Sequence, residues 1–84
     1  FMNFCVYILQ SSTTSKYYCG QTDCIEERLK RHNAGEVKST KHGIPWHLIA
    51  VCGCSTRSES MHLEKTIKKR GIQRWLMEHQ EYIV

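Results

Sequence analysis

Only a few side chains in this 84-residue chain are of types that could act on a phosphate ester. Tyr7 and the pair Tyr17–Tyr18 lie on two short β-like runs in "CVYILQSSTTSKYYCGQT", with Gly20 just behind the second pair. Phenols placed this way either pack a sheet, the commoner use of strand tyrosines, or form the first half of an active site. Arg28 and His32 are four apart and stack on one helix face, where His32 could equally cap the last carbonyls. Carboxylates are scarce, eight in all. Asp23, Glu26, Glu27 and Glu59 cluster where helices begin and offset the macrodipole. Glu36 falls in a loop and Glu78 and Glu81 in the polar tail, which leaves Glu64 in mid-helix. A two-metal site needs several convergent acids, and this chain does not offer them. One glutamate with waters and substrate phosphate oxygens suffices for a single Mg²⁺. The competing use of Glu64 is a surface ion pair with Lys68 at i, i+4, worth about 0.3–0.5 kcal/mol. On spacing alone that ion pair is the simpler account.

The elements that must position these groups are legible. "FCVYIL" (4–9) is aromatic and β-branched and reads as a strand, "QSSTTSK" as a polar hairpin loop, and "YYCGQ" as the returning strand. With Tyr7 opposite Tyr18, both phenols share a sheet face. Gly20 lies on that face by alternation and leaves open space beside it. "TDCIEERLKRHNAG" is a helix with Asp23 as N-cap, Glu26 as capping-box partner, Gly35 as stop and Ile25 and Leu29 as buried stripe. Residues 35–46 lack periodicity and hold the only proline, Pro45, so they form a loop long enough for a role in binding. "HLIAVC" (47–52) is the third strand. A second helix follows, with Thr56 and Glu59 as capping box, Gly71 as terminator and Leu63 and Ile67 inside. Ile72, Trp75, Leu76 and His79 then recur at i, i+3, i+4 and i+7, the mark of an amphipathic third helix. The order is ββαβαα: an α/β fold with a small three-stranded, mainly antiparallel sheet flanked by helices.

Length fits one small domain over residues 1–84, with Phe1 before Met2 reading as an expression remnant. No apolar run approaches the roughly 20 residues of a membrane-spanning helix, and no basic-then-apolar leader is present. The expected compartment is the cytosol. Five cysteines, an odd count without any Cys-x-x-Cys pair, read as reduced thiols in strands and not as disulfides or zinc ligands. The net charge of +4 is concentrated in three groups. Lys65, Lys68, Lys69, Arg70 and Arg74 form one, Arg28, Lys30 and Arg31 a second, and Lys38, Lys41 and His42 a third. Any one group could be a solvated helix face; three together favour a polyanion such as nucleic acid.

These residues together resemble the GIY-YIG endonuclease family, of the stand-alone single-domain type and more distantly the nuclease domain of an excision-repair protein. The first signature triplet stands here as Cys5-Val6-Tyr7 and the second as Tyr18-Cys19-Gly20. "ERLKRHNAG", "STKHGIPWHLI" and "SESMHLEKTIKK" follow in the family's order, from about residue 4 to residue 70. The resemblance implies a metal-dependent endonuclease that hydrolyses DNA, in repair or on branched or single-stranded DNA, with Mg²⁺ or Mn²⁺ and no small-molecule cofactor. It implies Tyr7 as activator of the attacking water, Tyr18 lining the site, Arg28 on the scissile phosphate and His32 one turn later. Glu64 becomes the metal ligand, in place of the ion pair. Lys41 falls in the family's basic loop. Lys38, Lys41, His42 and Lys68 are the expected nucleic-acid contacts, and Gly20 allows close approach of backbone and DNA. A Tyr of ordinary pKa near ~10 is a poor base at neutral pH without a neighbouring cation or metal. The family asparagine after the glutamate helix is missing here, with Gln73 as its candidate substitute. Two other functions compete: a nucleic-acid-binding module of this fold that cuts poorly, and an interaction domain docking a partner protein through Trp75, Leu76 and Met77.

Overall fold

The computed structural model describes residues 4–84; Phe1, read above as an expression remnant, lies outside them. The strands are β1 (Phe4–Ser11), β2 (Tyr17–Thr22) and β3 (Trp46–Cys54), and the helices α1 (Ile25–Asn33), α2 (Arg57–Arg70) and α3 (Ile72–Glu78). Short 3-10 turns span Lys38–Gly43 and Gln80–Tyr82. The sheet runs β2-β1-β3, with both pairings antiparallel, so the fold is the α/β arrangement of order ββαβαα. No helix among the described residues is long and apolar enough to cross a membrane.

β1 is the central strand and is covered on both faces, which is why it reads as the unbroken apolar run Cys5–Leu9 instead of alternating. Val6 and Ile8 face α2 and α3, packing with Cys19, Ala50, Cys52, Ile67 and Trp75. Tyr7 and Leu9 face the other way, onto Trp46, with Tyr18, Ile25, Leu29 and Ile44 packed around them. The outer edge of β3 is closed by the end of the described chain. Ile83 bridges to Ala50, and the Val84 amide donates to the Ile49 carbonyl at 3.0 Å. The five cysteines are free thiols, Cys24 exposed and the others buried.

Several local expectations are corrected. Tyr7 pairs with Gly20 and Tyr18 with Leu9, so the two tyrosines are diagonal neighbours on one face and not directly opposed. Hairpin loops set register, and this one turns on Ser11, whose Oγ accepts from the Thr13 and Thr14 amides at 3.1 and 2.9 Å, with Ser15 at φ 63°. The N-cap of α1 is Cys24, without a side-chain cap, and not Asp23. The Thr22 hydroxyl accepts from the Cys24 amide at 3.1 Å and delays the helix by one residue. For α2 the expected cap holds: the Glu59 amide donates to Thr56 Oγ1 at 3.1 Å, while the Glu59 carboxylate takes the Ser55 amide. Trp75 and Leu76 pack on the core at 4% and 6% exposure, as the stripe of an amphipathic helix implies, against the competing use of these residues to dock a partner. Only Met77 of that trio faces solvent, because the apolar stripe of α3 is spent on the sheet.

Candidate active site

Tyr7 is the hub of the α1 face. It is 1% exposed, and its hydroxyl lies 2.9 Å from His32 Nε2. Arg28 Nε donates to the same oxygen at 3.4 Å. His32 is fully buried and does not cap helix carbonyls, as its position near the end of α1 suggested. Its second nitrogen, Nδ1, meets Thr40 Oγ1 at 2.7 Å, and that hydroxyl donates to the Val37 carbonyl at 3.3 Å. Tyr18 closes the group from β2, its ring 6.3 Å from that of Tyr7, 5.0 Å edge-on to His32 and 6.3 Å from Trp46. Tyr7, Tyr18, Arg28 and His32 are therefore brought together, while Thr40 is a member that sequence reasoning missed.

Gly20 serves a different purpose from the one expected. A methyl group there would stand 2.6 Å from the Tyr7 hydroxyl oxygen and 2.8 Å from Cζ. The space beside this glycine is filled by the phenol, not left open. The turn that carries Thr40 is fastened just as closely. Asn33, next to His32, accepts from the Trp46 amide at 2.6 Å and donates to the Trp46 carbonyl at 3.0 Å. The Trp46 indole N–H in turn donates to the Thr40 carbonyl at 2.7 Å. Consecutive side chains of α1 thus hold the start of β3 and the 3-10 turn in one position.

Burial sets the electrostatics. The Tyr7 phenol is pushed up to about 12, chiefly by burial, although the hydrogen bond from Arg28 works the other way. Burial, reinforced by the Arg28 and Arg31 guanidinium groups, lowers His32 to about 4. At neutral pH both groups are uncharged. For stability the sign follows directly: below about pH 6.5 the unfolded chain binds a proton that folded His32 refuses. Its contribution is complete above that pH, declines as pH falls and levels off near 4. A shift of this size corresponds to on the order of 3 kcal/mol. Urea unfolding at about pH 7 and about pH 4.5 is expected to show a larger loss for the wild type than for His32→Gln; equal losses would show that His32 is not held neutral.

Glu64 sits apart from this cluster, on α2, which packs the opposite face of the sheet. Its side chain is 20% exposed, and Lys68 Nζ donates to Oε2 at 2.6 Å. The i, i+4 ion pair is thus formed, and it raises the Lys68 pKa. No side-chain contact joins Glu64 to Tyr7, but its charge adds weakly to the upward push on the phenol, after burial and Tyr18. Among the described residues Oε1 accepts no hydrogen bond, and no group of three or more His, Cys, Asp or Glu converges. A hard cation held at Glu64 would take one carboxylate oxygen and fill its remaining positions with water and phosphate.

Of the expected nucleic-acid contacts, Lys38, Lys41 and His42 lie on the 3-10 turn beside Thr40, and all three are exposed. His42 borders a cleft of about 240 Å³ shared with Lys16, Tyr18 and Trp46. Lys68 is occupied by Glu64. Gln73 lines a groove with Arg70, Arg74 and Glu78, not the surroundings of Tyr7. Arg31 of the second basic group and Arg57, which sequence reasoning passed over, share a polar cleft of about 300 Å³ with Arg28 and Thr22. Arg57 is held over the Phe4 ring at 5.1 Å. Its first-turn position gives no signal, because the elements around that cleft are far apart in the chain.

The geometry agrees with the comparisons to known proteins. The model of the GIY-YIG catalytic domain matches residues 3–76. The UPF0213 protein YsiG of Lactococcus lactis subsp. lactis is 35% identical over 69 residues, covering 81% of this chain and 65% of that protein. A UPF0213 protein of Haloquadratum walsbyi is 39% identical over 64 residues, covering 75% of this chain and 71% of its own length. The chain thus spans about two thirds of the length of these relatives. The solution NMR structure of a UPF0213 protein from Bacillus halodurans superposes with a TM-score of 0.57 at 28% identity, over 94% of this chain and 84% of that one. With its two tyrosines on adjacent strands of a β2-β1-β3 sheet and a match running through most of its length, the chain belongs to the GIY-YIG family, a family of nucleases.

Proposed function

We propose that the protein is a divalent-metal-dependent endonuclease that hydrolyses DNA phosphodiester bonds, in repair or on branched or single-stranded DNA. The observation that carries this reading is the Tyr7 hydroxyl held between Arg28 Nε and His32 Nε2. A structural tyrosine needs one partner; this one has a cation on one side and a neutral acceptor on the other. In the proposed reaction a water oxygen attacks phosphorus, its proton passes to the Tyr7 oxygen, and the bond to the leaving oxygen breaks, that oxygen taking a proton from solvent water to leave as the alcohol. With the phenol near 12 and the imidazole near 4, neither phenolate nor imidazolium is populated beforehand. The Tyr7 proton therefore moves to His32 Nε2 in concert with attack. Arg28, half-buried at the mouth of the cluster, turns its guanidinium to the phosphate where negative charge grows. Glu64 would hold the divalent cation, which when bound would supply Lewis-acid stabilisation of phosphate charge.

Nicking of a supercoiled plasmid, with Mg²⁺ and with EDTA, tests the reading. Metal-dependent nicking that is lost in Tyr7→Phe is the expected result. DNA binding without nicking at any metal concentration would favour the competing function, a binding module. The basic turn is assigned to backbone phosphate. Neutralising Lys38 and Lys41 is expected to flatten the slope of log K against log salt by up to ~0.9 for each phosphate no longer neutralised, and an unchanged slope would remove the turn from the interface.

A further inference from the structure

We propose that Thr40 is a positioning residue that fixes His32 as the Nδ1–H tautomer and so aims the Tyr7 hydroxyl proton inward, leaving a lone pair of the phenol oxygen, beside the one that accepts from Arg28, for the reaction. This rests on the nuclease reading for its consequence but not for its geometry. Counting donors decides the tautomer, since hydrogens are assigned by the network they complete. With the proton on Nδ1, every donor is placed. His32 Nδ1–H meets Thr40 Oγ1 at 2.7 Å, the Thr40 hydroxyl meets the Val37 carbonyl at 3.3 Å, and Tyr7 O–H meets Nε2 at 2.9 Å. Arg28 Nε–H then meets the Tyr7 oxygen at 3.4 Å.

With the proton on Nε2 instead, the Tyr7 oxygen would receive two donors and its own O–H would have no acceptor, in a residue only 1% exposed. A buried donor left unpaired is costly. The tautomer so selected is the less favoured one in water, and a ring nitrogen's state is set by the bond its partner nitrogen makes. Thr40 supplies that bond, and its own place is fixed. Its amide donates to Val37 at 3.1 Å, and its carbonyl takes the Trp46 indole at 2.7 Å. A hydroxyl free to rotate would not choose. This one is directed by the Val37 carbonyl, the end of the chain of bonds.

The experiment compares wild type, Thr40→Ser and Thr40→Val. Long-range ¹H–¹⁵N spectra at neutral pH are expected to show His32 protonated at Nδ1 in wild type and Thr40→Ser. In Thr40→Val, which keeps the shape but offers no acceptor, the proton shifts toward Nε2. Nicking rates are expected to show kcat lowered about tenfold or more in Thr40→Val with KM little changed, and rescued in Thr40→Ser. A wild-type His32 protonated at Nε2 overturns the proposal, as does a folded Thr40→Val with wild-type kcat. Should Thr40→Val not fold, the wild-type spectrum and the Thr40→Ser pair still decide. A wild type that never cuts DNA would refute the nuclease reading while leaving the tautomer to be judged by the spectra.

Discussion

Glu64→Gln is expected to lower Mg²⁺-dependent nicking by at least about 100-fold while leaving the fold in place. Removing one group that stabilises transition-state charge commonly costs on the order of 10²–10³ in rate, and no cluster of three or more His, Cys, Asp or Glu among the described residues is there to take over the cation. The fold has little at stake. Glutamate and glutamine have similar helix propensity, and the bond given up to Lys68 is an exposed i, i+4 pair worth about 0.3–0.5 kcal/mol. Initial nicking rates beside thermal melting of the same preparations separate the two effects. A variant that cuts like wild type would confine Glu64 to its ion pair. One that melts far lower would make it a structural residue of α2.

Gly20→Ala is expected to damage both the fold and the site with a single added methyl group. Its Cβ would fall 2.6 Å from the Tyr7 hydroxyl oxygen, 2.8 Å from Cζ and 3.0 Å from Tyr18 Cε2. Tyr7 has no room to withdraw, because it is pinned by His32 and Arg28 and backed by the core. Overpacking of this kind costs about 1–3 kcal/mol, or roughly 4–8 °C in Tm for each kcal/mol at this size. Nicking should fall with it, since any relief moves the phenol off His32. Tyr7→Phe removes the closest clashing atom but not Cζ, so the double variant should be less destabilised than the sum of the singles. Additive losses would mean that the strand, not the ring, yields.

The parts of this fold that local chemistry decides are open to reading in the sequence, and those decided by distant partners are not. α2 is bounded as expected because Thr56, Glu59 and Gly71 act on their own neighbours; Gly71 sits at φ 95°. α1 starts one residue later than its capping pattern implies, because the Thr22 hydroxyl outcompetes Asp23 for the turn. The aperiodic stretch 35–46 hides a 3-10 turn, since its order comes from Asn33 and Trp46 and not from any repeat of its own. In the site, the grouping of Tyr7, Tyr18, Arg28 and His32 follows from the family's signature. Composition alone does not separate it from ordinary sheet packing. Thr40 carries no signal at all: one hydroxyl in "KSTKHG" becomes special only when α1 delivers His32 to it. Trp75 and Leu76 pack on the sheet as their stripe implies; the competing docking role stays open in the sequence because an amphipathic stripe does not say whether it faces its own sheet or a partner.

Placing Tyr7 in the middle strand has a consequence for how activity and conformation are linked. The phenol is held by a helix and both neighbouring strands, and its histidine partner by the turn, so opening of any one of these elements takes the cluster apart. Local opening of β1, β2, α1 or the turn, which elsewhere lets a binding loop move while the rest stays folded, would here dismantle the site. Loss of nicking with denaturant should therefore overlay loss of helical circular dichroism at a single midpoint, as a two-state domain requires. In that sense the protein reports on itself: the remaining turnover at any urea concentration measures the fraction of molecules that are native.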